Sequence, residues 1–192
     1  MTYTSAFEKA VEEVLVIEGV FSDHAKDPGG KTKYGISTPL AREYGITDVR
    51  TITKAQAKNI YFHHFWQPNN CDELSERFGF SLALEIFESS VHIGQLVPGR
   101  WLQNWLNVVE RSGKKRLFAP LEADGEIGPK TIGAIEAVIK YRKGAYATMY
   151  NWLNARQYFF YYDLCYDKPE VYGDFFWGWI SKRCSFVPDA KG

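Results

Sequence analysis

The sequence predicts a mainly α-helical protein with one small glycine-rich, irregular segment between its first two helices. Three observations carry that expectation. Apolar residues recur at three- and four-residue steps, proline and glycine gather in the stretch from 19 to 52, and Gly128-Pro129 sets a proline at the first position of a helix. In the first helix Phe7, Ala10, Val11, Val14 and Leu15 make one apolar stripe over residues 4 to 18. Pro28, Gly29, Gly30 and Gly35 then permit tight turns and exclude a helix or long strand, so residues 19 to 52 have room only for short strands. Further helices are expected near 53 to 67, 74 to 92, 97 to 109, 129 to 143, 145 to 166 and 169 to 184. Arg111-Ser112-Gly113-Lys114-Lys115-Arg116 reads as a solvated basic connector.

With 192 residues, 45% of them hydrophobic, the chain can bury an ordinary core. The expected division is a lobe over 1–95 and a helical lobe over 96–192, packed as one unit. Apolar runs are broken by charge within a few residues, which predicts no membrane span. Residues 1 to 20 lack a basic start and hold Glu12 and Glu13, which predicts no signal peptide. Cys71, Cys165 and Cys184 are an odd set without metal-ligand spacing and read as reduced thiols. His63-His64 is an adjacent pair and forms no zinc motif, so neither metal nor cofactor is expected. The 23 basic and 23 acidic residues balance, which gives no pull toward nucleic acid. A monomer is expected.

Glu18 closes the first apolar helix, three residues beyond Leu15 and four beyond Val14. On that stripe a carboxylate faces the packed side, where lost hydration raises its pKa and suits it as a general acid. The plainer reading is a glutamate in the last turn of a surface helix, although the macrodipole disfavours an acid there. Asp27 and Thr32 follow in the loop Asp27-Pro28-Gly29-Gly30-Lys31-Thr32-Lys33-Tyr34-Gly35-Ile36, whose glycines let the chain fold back toward the end of the helix. Two carboxylates, one buried and one polar, are the pair that glycoside hydrolysis uses. Asp27-Pro28-Gly29-Gly30 taken alone reads equally as a simple turn.

Glu18-Gly19, Asp27-Pro28-Gly29-Gly30, Thr32 and Gly35-Ile36-Ser37, read as a set, resemble the signature of the glycoside hydrolase 108 muramidases, phage and bacterial lysozymes that cut peptidoglycan. The resemblance continues through Thr53, Ala57, Ile60, Tyr61 and Phe65-Trp66, then through Phe87-Glu88-Ser89-Ser90-Val91-His92-Ile93-Gly94. Leu102-Gln103, the stretch from Asp124 to Thr131, Gly178-Trp179 and Arg183 resemble the peptidoglycan-binding-like half. This resemblance implies a lysozyme-like fold, with Glu18 as proton donor, Asp27 as its carboxylate partner and Thr32 holding water or the carboxylate. It also implies bacterial peptidoglycan as the partner. Val20 and His24-Ala25 depart from the family pattern and alter the loop, while Glu88 and His92 stand where the family has Asp and Asn. Those two form an i,i+4 pair, either at a subsite or exposed on the helix surface. Substrate contacts are expected from Tyr34, Glu88 and Gln103.

The expected activity is hydrolysis of the β-1,4 bond between N-acetylmuramic acid and N-acetylglucosamine by a phage-type endolysin. It would be made in the host cytoplasm and reach the wall through a holin-made hole. A noncatalytic peptidoglycan-binding module and a bacterial wall-remodelling muramidase that supports secretion are the alternatives. Trp66, Trp101 and Trp105 are expected in the core. Most of Tyr158-Phe159-Phe160-Tyr161-Tyr162, Phe175-Phe176-Trp177 and Trp179 are expected there too, with one or two left to line subsites.

Overall fold

Helix α1 (Ser5–Glu18) forms where the apolar stripe predicts it and buries Phe7, Ala10, Val11, Val14 and Leu15. The computed structural model describes residues 2–18, 21–22, 32–112 and 115–184, and at residues 17, 18, 21 and 22 it describes the backbone alone. Three two-residue strands follow, β1 (Phe21–Ser22), β2 (Thr32–Lys33) and β3 (Ile36–Ser37), paired antiparallel in that order. Ser37 then caps α2 (Thr38–Glu43) by accepting from the Leu40 amide.

The helix expected over 53 to 67 is two elements. Thr53 and Gln56 form a reciprocal capping box at the start of α3 (Lys54–Tyr61). A π turn over Phe62–Trp66 follows, closed by the Gln67 amide on the Phe62 carbonyl at 2.8 Å. Trp66 is thereby wedged against Phe7 and Phe87, at ring separations of 5.5 and 5.3 Å, with its indole N–H donating to Asp72. The helix expected over 74 to 92 is also divided. Gly79, at φ +111°, ends α4 (Cys71–Phe78) and turns the chain into α5 (Phe80–Ile93). A residue with a Cβ resists that φ, which is why the break falls there.

Every residue from Ser81 to Ser90 is buried, so α5 is covered on all sides. It packs against α1, α4, α6 (Val97–Arg111) and α8 (Ala145–Asp167). Helix α7 (Pro129–Tyr141) lies against α6 and α8. The segment expected as one helix over 169 to 184 is α9 (Pro169–Tyr172), a 3-10 turn over Gly173–Phe175, and α10 (Phe176–Arg183). The core runs without a break from Phe7 in α1 to Leu153 in α8 and includes Trp66, Trp101 and Trp105. Among the described residues no helix is long and apolar enough to cross a membrane.

The aromatic run of α8 departs from expectation. Tyr161 is buried and Phe160 half-buried, but Tyr158, Phe159 and Tyr162 are exposed, as is Trp177 on α10. Only one face of α8 meets α5, α6 and α10, and consecutive aromatic residues spread around a helix by about 100° each.

Candidate active site and its supporting framework

Of the expected site residues, Thr32 and Tyr34 lie in the hairpin that follows α1, and Glu18 precedes it in the chain. Glu18 is the last residue of α1, and β1 begins three residues later. Ser22 pairs with Thr32, and Thr32 in turn with Ser37, so the strand register pins both ends of the connection that carries Asp27. Asp27 itself lies outside the described residues, as does the Glu18 side chain. Thr32 is half-buried in the central strand.

Tyr34 and Gly35 form the two-residue turn between β2 and β3, at φ +53° and +73°. Positive φ at both central positions is the requirement of a type I′ hairpin turn, and a tyrosine there is held against its own preference. Two contacts hold it. The Tyr61 hydroxyl donates to the Tyr34 carbonyl at 2.9 Å, and the Lys33 ammonium donates to the Arg50 carbonyl at 2.7 Å. Each residue of Gly35-Ile36-Ser37 therefore has its own physical role, in that Gly35 completes the turn, Ile36 is fully buried, and Ser37 caps α2. Tyr61 plays a supporting part that periodicity alone hides, because a buried tyrosine reads as core until its hydroxyl acceptor is seen.

Glu88 stands apart from the hairpin's hydrogen bonds, and of its two expected places, at a subsite or exposed beside His92, burial overturns the exposed one. Glu88 is 1% exposed; one carboxylate oxygen accepts from Arg183 of α10 and the other from Gln157 of α8. Both oxygens are thus taken up inside the protein, where they tie α5 to the last two long helices. Beside it Glu85, also 1% exposed, accepts from Asn154 at 3.1 Å and Ser89 at 3.5 Å. Burial, reinforced by the neighbouring Glu88 charge, pushes the Glu85 carboxyl well above the usual range. The folded protein therefore holds this proton more tightly than the unfolded chain, so its stabilising effect is full below the ordinary glutamate value, about 4, and is lost as pH rises through the folded value. Glu85→Gln should gain in thermal midpoint relative to wild type between pH 5 and pH 8. A gap independent of pH across that range would contradict the buried, proton-holding role.

Gln103 is likewise buried, and its amide organises the loop from Asp124 to Thr131. Its Nε2 donates to Asp124 Oδ1 at 2.7 Å, to the Glu126 carbonyl at 3.0 Å and to Thr131 at 3.3 Å, while its Oε1 accepts from the Gly125 amide at 2.8 Å. The Gln103 amide, with the Glu126 N–H, holds the Asp124 carboxyl below its usual range. A Cβ on Gly99 would lie 2.0 Å from the Gly125 carbonyl oxygen, which explains the glycine in the first turn of α6. Gln103, Asp124 and Lys130 line a groove of about 550 Å³ beside this loop. The two stretches that resembled a binding-domain signature are therefore parts of one hydrogen-bonded unit.

A mainly helical fold with a short hairpin after its first helix is the lysozyme-like class. Residues 11–94 match the family described as Glycosyl hydrolase 108, and residues 97–184 match the domain described as Predicted Peptidoglycan domain. The chain thus carries a glycosyl hydrolase 108 domain followed by a peptidoglycan domain, and the two together support a glycoside hydrolase that acts on peptidoglycan. In fold it is similar to the solved structure of Brucella abortus SagA, with a TM-score of 0.64 and 24% identity, covering 92% of this chain and 88% of that one. No curated protein matches it in sequence.

Proposed function

We propose that the protein is an endolysin-type N-acetylmuramidase that hydrolyses the β-1,4 bond from N-acetylmuramic acid to N-acetylglucosamine. The observation that most supports this reading is the register of the hairpin, Ser22 opposite Thr32, which begins three residues after the helix that Glu18 closes, with Asp27 in the sequence between the two strands. Glu18 protonates the departing oxygen. Asp27, with Thr32, positions the attacking water or stabilises the oxocarbenium-like charge, and the separation of the two carboxyls selects inversion or retention. Tyr34 offers a ring face to a sugar at the edge of the same turn. The route to the wall that accompanies this reading is a holin-made hole.

Analysis of the ends released from purified sacculi tests the bond specificity. New reducing N-acetylmuramic acid ends are expected. Reducing glucosamine ends would make the enzyme a glucosaminidase, and 1,6-anhydro ends that persist in Asp27→Ala would make it a lytic transglycosylase.

Because Tyr61 holds the turn through one hydrogen bond, Tyr61→Phe should cost about 1 kcal/mol of stability, or about 3 °C in midpoint. Its rate of muropeptide release should fall by about tenfold, since small displacements at a reacting centre weigh more on rate than on stability. An unaltered rate with the expected midpoint would detach the turn from catalysis.

A further inference from the structure

The outer face of α8 carries aromatic rings that the core does not use. Trp152, Phe159, Tyr162 and Tyr166 are exposed along it, Tyr166 at 73%, and Trp177 of α10 is exposed at 76%. From residue 152 to residue 166 a helix rises about 21 Å at about 1.5 Å per residue, so the rings form a long stripe rather than a spot. They are also ordered relative to one another. Tyr162 and Tyr166 are stacked at 5.8 Å with planes 18° apart, and Phe176 meets Tyr162 edge-on at 6.4 Å. A row of exposed aromatic rings along one helix costs solubility and marks a place of contact.

The charges along the stripe select the occupant. At one end the Arg156 guanidinium sits over the rings of Trp101 and Trp152, at 5.4 and 5.9 Å, and no carboxylate pairs with it among the described residues. Further along, the exposed Asp163 and Asp167 flank the rings. Carboxylates accept hydrogen bonds from sugar hydroxyls but repel an anionic bilayer, whose interfacial helices are flanked by Lys and Arg instead. Pyranose rings present an apolar face to an aromatic one, and the stem peptides of peptidoglycan bring carboxylates that complement a free guanidinium.

We propose that this stripe is the surface on which a peptidoglycan glycan strand lies, with its sugars stacked on Phe159, Tyr162 and Tyr166 and a stem-peptide carboxylate paired with Arg156. The proposal rests on the peptidoglycan-hydrolase reading and assigns the second half its binding face. None of its residues lines the Gln103 groove, and it delivers a polymeric substrate rather than reacting with it.

The test is co-sedimentation with purified sacculi for wild type and for the triple variant Phe159→Ser/Tyr162→Ser/Tyr166→Ser, with folding verified by circular dichroism. The variant should lose at least tenfold in sacculus affinity, and its rate on sacculi should fall in parallel, while its rate on short soluble muropeptide oligomers stays within twofold. Arg156→Ala should weaken binding to intact sacculi and leave binding to amidase-stripped glycan unchanged. Equal sacculus binding by the triple variant overturns the proposal. So does retained sacculus binding with loss of a wild-type dimer in sedimentation velocity, or with loss of binding to phosphatidylglycerol vesicles. If wild type releases muropeptides while the triple variant binds as well as wild type does, the stripe alone falls. If wild type neither binds nor releases, the hydrolase reading falls with it.

Discussion

Glu18→Gln is expected to lower muropeptide release from purified peptidoglycan by about a thousandfold, within the range that general acids contribute. Glutamine keeps the size and shape of the side chain but has no acidic proton to give a departing sugar oxygen. The substitution falls in the last turn of α1, after Val14 and Leu15 have already secured the helix to the core. The thermal midpoint should not fall below that of wild type, because where lost hydration raises a carboxyl's pKa the neutral amide of the same shape removes a charge that costs stability near neutral pH. Binding to sacculi should also persist, because holding the polymer and donating a proton fall to different residues. A variant that retains a tenth or more of the wild-type rate would remove Glu18 from the role of acid and leave Asp27 as the carboxylate to examine next.

Arg183→Ala carries the largest expected effect on stability. Arg183 and Glu88 are 4% and 1% exposed, and the pair joins α5, within the glycosyl hydrolase 108 match, to α10, within the peptidoglycan-domain match. Removing the guanidinium leaves a buried carboxylate with only Gln157 as a strong donor among the described residues, and breaking such a pair costs about 3–5 kcal/mol. In a chain of this length that is a fall of about 10 °C or more in midpoint. Replacing both members by apolar residues of similar size, Arg183→Met with Glu88→Leu, should recover most of the loss, because no unpaired charge remains. Urea unfolding checks both. A loss below about 1 kcal/mol for Arg183→Ala would mean that the pair is not what joins these helices.

These two residues also show how legibility differs along the chain. Glu18 stands out in one dimension, because an acid at the end of an apolar stripe followed by a glycine-rich loop is a local pattern. Thr53 and Gln56, three residues apart, are equally local and form the capping box at the start of α3. Glu88 and Arg183 are 95 residues apart, and nothing in the neighbourhood of either names the other. The same limit explains the exposed rings of α8. A hydrophobic pattern records which residues favour burial, but a helix has only as much buried face as its neighbours cover, and α10 covers the side of α8 that carries Tyr161, meets Tyr162 only edge-on and leaves Phe159 and Tyr166 exposed.

By itself the sequence determined the helical class, the short strands after α1 and the candidate acid with its glycine-rich loop, since these follow from periodicity and from turn chemistry within a few residues, while its motifs carried the family resemblance. The tertiary structure alone decided that Gly79 divides one expected helix into two, that Tyr61 holds the Tyr34 turn, that Gln103 is the centre of the Asp124–Thr131 loop, and that Glu88 is an internal tie. Each of those depends on which distant carbonyl, amide or charge arrives within hydrogen-bonding reach, and that is settled by how the helices pack around α5.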